Sequence, residues 1–350
     1  MHRHHRTLDD SLSFQRQCAM KSAKRLLAIV AFSCPVVASG AGEPAAESSI
    51  EAPGPAGPLK GTMLSPVGGH GPVMLIIPGS GPTDRDGNNP LGVKAATYRL
   101  LAEGLVARGV TTVRADKRGM FASAAATSDA NAVSISDYVT DVHAWTTAIR
   151  RRTGASCIWL LGHSEGGLVA MAAAKGQQEV CGLVLISAAG RPMGEVLRDQ
   201  LKSNSANAPL LAQALPAIDA LEAGKYVDTT NMAPPLLRLF RPQVQGFLIS
   251  VFSYDPTQLL KGYMKPVLIV QGQRDIQVHE SDARILQQAD PRATLALLPD
   301  VNHVLKSVTS GDMKANVATY TDASLPLAPG VVDTIGGFLT ANAQSDRSGS

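Results

Sequence analysis

Apolar and polar positions along this chain keep two rhythms, broken once. Short runs in which nearly every residue is apolar recur at residues 72–77, 157–161, 183–186, 266–270 and 293–298, and a more mixed strand is expected at 110–115. Such runs suit strands of a parallel sheet covered on both faces. Between them lie stretches with apolar residues at helical spacing. They predict helices over 95–108 (Leu100, Leu101, Leu105 and Val106 inward), from 136 to just before Gly154, over 168–174, near 281–288 and near 331–341. A further short strand is expected at 61–66 and a long loop at 78–90. Residues 190–262 interrupt the alternation: this stretch is rich in Leu and Pro, helix-like, and has no convincing parallel strand. The pattern predicts an α/β fold, a doubly wound and mostly parallel sheet with an inserted helical cap. The core is expected over 59–189 and 263–343, the cap over 190–262, and a disordered tail over 344–350.

The first 58 residues read differently. A basic start at Met20-Lys21-Ser22-Ala23-Lys24-Arg25 precedes an apolar stretch at 26–37 and small residues at 38–41. That is the layout of a secretory signal peptide, too short for a membrane span. Residues 1–40 are therefore expected to be a leader with Met20 as its true start, and the protein to be exported, periplasmic or extracellular, with no stable membrane insertion after cleavage. Residues 41–58, rich in Ala, Gly, Pro and Glu, are expected to be a flexible linker. The leader holds six of the 32 Lys+Arg and two of the 29 Asp+Glu, so residues 41–350 carry −1 rather than the +3 of the whole chain. A nucleic-acid partner loses its support. Two of the four cysteines remain, Cys157 and Cys181, each at the start of an apolar strand. On neighbouring parallel strands they would sit level, within bridging range; a disulfide and two buried thiols are both open readings.

The chemistry centres on Gly162-His163-Ser164-Glu165-Gly166, where the strand ending at 161 turns into the helix beginning at 168. The Gly-x-Ser-x-Gly pattern alone is weak. With a strand before it and a helix after it, it is a nucleophile elbow, lifting the Ser164 hydroxyl above the sheet. A serine needs a base to take its proton and an acid to orient that base. Asp275, just past the strand ending at 270, is the acid candidate. His303, just past the strand ending at 298, is the base candidate. His163 lies inside the elbow and His279 shares the Asp275 loop, so neither is as well placed. Two backbone N–H groups must face the oxyanion: those of Glu165, after the nucleophile, and of Ser80 in the small-residue loop Pro78-Gly79-Ser80-Gly81-Pro82. The Glu165 side chain could simply favour the helix dipole. The polar loop 83–89 could line the mouth of the site or form a self-satisfied salt-bridged turn.

Five pieces together resemble the α/β-hydrolase superfamily, and within it the bacterial exported, serine-aminopeptidase-like group of esterases and peptidases. They are Ile77-Pro78-Gly79-Ser80-Gly81-Pro82, Asp116-Lys117-Arg118-Gly119, Gly162-His163-Ser164-Glu165-Gly166-Gly167, Gln271-Gly272-Gln273-Arg274-Asp275 and Asn302-His303. The resemblance implies Ser164 as nucleophile, Asp275 as acid, His303 as base, Ser80 and Glu165 as oxyanion donors, and a lid over 190–262. The chain departs from it at Pro78, where the family often has His, and at Phe121, where a second glycine often follows Arg-Gly.

The expected function is an exported serine hydrolase cleaving carboxylic esters through an acyl-enzyme. An aminopeptidase or amidase with the same triad is the alternative, and a non-catalytic ligand-binding protein on the same fold is a third reading. A peptidase would need an acidic anchor for the substrate's amino group, and Glu195, Asp199, Asp219, Glu222, Asp228 and Asp255 of the cap show no telling spacing. The cap's Leu236, Leu237, Leu239, Phe240, Phe247 and Phe252 could line an acyl pocket or simply pack. No metal-ligand cluster or phosphate-binding loop stands out, so no cofactor and no metal are expected, and the partner is a small ester, amide or peptide.

Overall fold

The computed structural model describes residues 45–69 and 71–348. The expected leader, its start at Met20 and the last two residues lie outside the described residues. Eight strands form one sheet: β1 (Ala46–Ala52), β2 (Leu59–Ser65), β3 (Val73–Ile77), β4 (Thr111–Ala115), β5 (Ile158–His163), β6 (Val180–Ile186), β7 (Val267–Gly272) and β8 (Thr294–Leu298). Their order is β1-β2-β4-β3-β5-β6-β7-β8. β1 and β2 pair antiparallel, as do β2 and β4; every pairing from β4 to β8 is parallel. Every residue of β3, β4, β5 and β7 is buried, which explains the apolar runs of β3, β5 and β7, while β4 buries Thr111, Thr112 and Arg114 as well.

Helices α1 (Thr97–Val106), α2 (Ile135–Thr153) and α3 (Glu165–Ala174) connect the first half of the sheet. α2 starts on a capping box: Asp137 N–H donates to Ser134 Oγ while the Ser134 N–H donates to the Asp137 carboxylate, 2.9 Å away. It stops at Gly154, whose φ of 74° a side chain would resist. Between β6 and β7 come five helices: α4 (Met193–Ser203), α5 (Leu211–Glu222), α6 (Pro234–Phe240), α7 (Pro242–Phe252) and α8 (Pro256–Leu260). After β7 come α9 (Glu280–Ala289), then β8, α10 (Met313–Ala318) and α11 (Val331–Ser348). Leu236, Phe240 and Phe252 of the insertion are buried in the same apolar cluster as β3, β5 and α3. They pack; of the insertion's apolar residues named above, Phe247 is the one on a cavity wall.

Two boundaries need correction. Residues 41–58 are not a flexible linker throughout: β1 lies within them, adding an edge strand to the sheet and burying Ile50 and Ala52. Only these two of its seven residues are buried, so alternation is too faint to reveal a strand. The closing helix also continues past 343, to Ser348, in place of the expected disordered tail. α10 has no counterpart in the sequence pattern.

Parallel register sets the functional edge. Ile77 is level with Gly162, Gly162 with Leu185, and Leu185 with Ile269. The loops after β3, β5 and β7 therefore emerge side by side at the carboxyl end of the sheet. At the opposite end Cys157 and Cys181 are joined by a disulfide, their Cα atoms 5.2 Å apart.

Candidate active site

Ser164 sits at the corner between β5 and α3 with φ 55° and ψ −125°. A side chain rarely adopts such a backbone, and it is held here by close packing. A Cβ on Gly162 would lie 2.2 Å from the Gly166 carbonyl oxygen, and one on Gly166 would lie 2.3 Å from that of Ile77. Both glycines are therefore needed for close approach, since neither has a positive φ. The Ser164 N–H donates to the Ile186 carbonyl at 2.9 Å, docking the corner on β6.

Asp275 and His303 meet across the loops after β7 and β8. His303 Nδ1 is 2.8 Å from Asp275 Oδ2, while Asp275 Oδ1 accepts the N–H groups of Gln277 (2.8 Å) and Val278 (3.0 Å). Burial pushes the Asp275 carboxyl up, but the His303 ring and these hydrogen bonds outweigh it and hold its pKa below the usual value. With Nδ1–H given to the carboxylate, Nε2 of His303 is left as the basic nitrogen. Ser164 and His303 line one cavity of about 120 Å³, together with Gly79, Ser80, Thr83, Asn89, Gln277 and Tyr320. His279 is exposed ahead of α9 and caps it with no side-chain hydrogen bond.

The His303 turn is tightly made. The Leu305 N–H closes onto the Asn302 carbonyl at 3.0 Å, with Leu305 at φ 61°. Asn302, fully buried, donates to Asn316 Oδ1 (2.9 Å) and Thr319 Oγ1 (2.7 Å), and Asn316 donates to the Arg274 carbonyl at 2.7 Å. α10 thus ties the neighbour of His303 to the neighbour of Asp275.

Sequence reasoning sets His163 aside, and the structure gives it a separate role. Its Nε2 lies 2.8 Å from the His303 carbonyl oxygen, which can only accept, so Nε2 carries the proton. Its pKa is pushed down to about 3 by burial and by the neighbouring His303. The ring is therefore neutral, and Nδ1 accepts from the Tyr98 hydroxyl at 2.9 Å. Tyr98 in turn accepts the Gly79 N–H at 2.9 Å. One chain of hydrogen bonds joins the loop after β3, the elbow and the His303 turn. Nothing in local sequence marks Tyr98, which is 65 residues from its partner.

The N–H groups of Ser80 and Glu165 donate to no protein acceptor among the described residues. Gly79 is packed on the elbow, its missing Cβ only 3.2 Å from Ser164 Cβ. The Glu165 side chain is buried 4.0 Å from Lys117 Nζ. Burial pushes the Glu165 carboxyl up and the Lys117 amine down, each partly opposed by the other's charge. In the loop 83–89 both readings hold. Arg85 is forked onto Asp116, Asp86 pairs with Arg114, and Asp84 closes the turn, while Thr83, Gly87 and Asn89 line the cavity. Phe121, in place of the family's glycine, has φ 48°, a backbone that favours glycine.

A strand–elbow–helix corner, a paired His and Asp past later strands, and a parallel sheet with an antiparallel edge define a member of the α/β-hydrolase superfamily. The family described as "Serine aminopeptidase, S33" matches residues 91–307, more than half of the chain, and the chain belongs to it. Esterase EstD of Thermotoga maritima is 27% identical over 277 residues, which are 75% of this chain and 61% of that protein; the chain thus spans under two thirds of that relative's length. Among solved structures, Est1E from Butyrivibrio proteoclasticus superposes with a TM-score of 0.55 at 17% identity, covering 85% of this chain and 99% of that one. The Pyrococcus furiosus esterase Pf2001 does so with a TM-score of 0.56 at 16% identity, covering 85% and 91%. These two superpositions speak to the fold.

Proposed function

We propose that this protein is a serine hydrolase that cleaves carboxylic esters. Ser164 attacks the acyl carbon, His303 Nε2 takes its proton and returns it to the leaving alkoxide, and Asp275 holds the imidazole and stabilises its cation. The developing oxyanion is met by the N–H groups of Ser80 and Glu165. Water, activated by the same histidine, then releases the acid. The observation that carries this reading is the 2.8 Å His303–Asp275 contact on the wall of the cavity that also holds Ser164.

Ester substrates are favoured over aminoacyl ones by what the cavity lacks. Among the described residues no Asp or Glu lines it. In the insertion, Asp199 pairs with Arg191, Asp219 and Glu222 pair with Arg198, Asp228 closes on Thr230, and Asp255 caps α8. Only Glu195, exposed on α4, is uncommitted among those six carboxylates. The similarity to esterase EstD points the same way, while the family's description keeps an aminopeptidase as the alternative. Export belongs to the proposal too, supported by the leader pattern and the disulfide; N-terminal sequencing of the exported protein should show cleavage.

The test is a panel of p-nitrophenyl esters of rising chain length beside aminoacyl-nitroanilides. Ester turnover is expected, falling about 10⁴-fold or more in Ser164→Ala, together with fluorophosphonate labelling lost in the same variant. Turnover of the anilides alone would favour the aminopeptidase, and ester turnover unchanged by Ser164→Ala would sink the mechanism.

A further inference from the structure

Lys117 follows β4 closely and is the only one of Asp116, Lys117 and Arg118 whose side chain reaches the loop directly after β3 at Gly79. Asp116 is spent on Arg85 and on the Ala122 N–H. Arg118 is spent on Asp141, with bonds of 2.7 and 2.6 Å, and on Asp137. Those two are fully compensated by ion pairs that hold loops in place. Lys117 differs. Its single direct hydrogen bond, 2.8 Å from Nζ, goes to the Gly79 carbonyl oxygen. Its remaining neighbours are the Glu165 carboxylate at 4.0 Å and the face of Tyr138, whose ring centroid is 5.5 Å away. The side chain is 8% exposed.

The Gly79 carbonyl and the Ser80 N–H belong to the same planar peptide group. We propose that Lys117 is a positioning residue of the oxyanion hole: its ammonium, held on the Gly79 carbonyl oxygen, fixes the plane of the Gly79–Ser80 peptide and polarises it so that the Ser80 N–H is aimed at the oxyanion. This rests on the serine-hydrolase reading above.

Three observations converge on it. The Gly79 residue is gripped on both sides, its N–H by Tyr98 Oη at 2.9 Å and its carbonyl by Lys117. A glycine would otherwise rotate more freely than any other residue. A cation on an amide oxygen draws electron density from the nitrogen, so the N–H on the far side becomes a stronger donor. The same ammonium also faces the side chain of Glu165, the residue that supplies the other donor. Both halves of the oxyanion hole are thereby referred to one buried charge. For packing alone, an apolar side chain of the same length would fill the space without a desolvated amine, and burial does press the Lys117 amine toward its neutral form.

The experiment compares Lys117→Met with Lys117→Arg in the full chain. It measures kcat and KM for p-nitrophenyl butyrate, the inhibition constant of phenylboronic acid, and thermal midpoints. Boronic acids form a tetrahedral adduct on serine that places an oxygen in the oxyanion hole. Lys117→Met is expected to lower kcat about 10- to 100-fold, a fraction of the loss on deleting a donor outright. KM should stay within about twofold, and boronic-acid affinity should fall in parallel with kcat. Lys117→Arg, which keeps a cationic donor, should recover most of that loss. A folded Lys117→Met with kcat within about twofold of wild type overturns the proposal. So does a kcat loss with unchanged boronic-acid affinity, or an arginine variant no better than methionine. If Lys117→Met does not fold, Tyr98→Phe removes the opposite grip on Gly79, and there too an unchanged kcat or an unchanged boronic-acid affinity overturns the idea. Wild-type protein inert to both esters and fluorophosphonate would instead remove the underlying reading.

Discussion

The two ends of β5 are secured by opposite means. At its amino end Cys157 is bonded covalently to Cys181 at the start of β6, so those two strands cannot part. At its carboxyl end the chain turns through Ser164 at a positive φ, held only by close glycine contacts and hydrogen bonds to β6, Tyr98 and the His303 turn. The first end supports stability without touching chemistry. The second sets chemistry through contacts that each tolerate little displacement. Six strand residues separate them, so on the reading proposed above the end that carries Ser164 can be disturbed without the other, and the reverse.

The sharpest way to break this contrast is Gly162→Ala. The new methyl would meet the Gly166 carbonyl oxygen at 2.2 Å, so the elbow must move. Ester turnover should drop at least about 10²-fold, as a 1 Å misplacement does, and stability by about 1–3 kcal/mol from overpacking. Kinetics and urea melts on one sample read both; unaltered turnover would mean the corner tolerates a side chain. Next comes the other end. Replacing Cys157 and Cys181 by Ala releases a loop spanning 24 positions, which by chain entropy removes about 3.5 kcal/mol. Turnover at 25 °C should stay within about twofold of wild type. A loss of activity matching the loss of stability would show that the two ends are not separable.

The smallest effect is one of pH. His163 titrates at 6.5 when unfolded but only near 3 when folded. As pH falls below 6.5 the unfolded chain takes up a proton that the folded one refuses. Its contribution is therefore present in full above 6.5 and lost downward, by up to about 1.4 kcal/mol per pH unit. The Asp275 contribution, from a depressed pKa, is lost only below its ordinary value of 3.8. The carboxyls of Glu165, Asp86 and Asp141, pushed up by burial, bear on the same window with the opposite sign. Urea melts between pH 4.5 and 6.5 are therefore compared between wild type and a variant lacking the histidine. His163→Gln, which can still bridge Tyr98 and the His303 carbonyl, should flatten the stability profile in that window. A slope left unchanged would assign it to another group.

How much of the molecule is legible in the sequence depends on how locally each feature is determined. β3, β5, β6 and β7 announce themselves because burial on both faces demands unbroken apolar runs. Ser164, Asp275 and His303 are legible because each comes shortly after such a run. β1 is hidden because an edge strand that buries two residues has no pattern to show, and its Ala- and Glu-rich composition resembles a linker. Tyr98, His163, Asn302, Asn316 and Lys117 escape sequence reasoning as parts of the site for a different reason. Their contacts join loops that only the folded sheet brings together, so no spacing along the chain encodes them. Phe121 shows the converse: a departure visible in sequence proves to lie in a left-handed backbone that a glycine would occupy more easily.

The five-helix insertion carries a last consequence. Its Ala214, Ala217, Ile218, Leu221, Phe240 and Val251 belong to the same continuous apolar cluster as the central strands, and the described residues form one compact unit. Swinging the insertion away as a door would expose that shared interior to water, a penalty on the scale of unfolding rather than of thermal fluctuation. The insertion should therefore melt in a single transition with the sheet, with no earlier calorimetric shoulder. Any route to Ser164 would then lead through the cavity lined by Thr83, Asn89, Gln277 and Tyr320 rather than beneath a moving insertion.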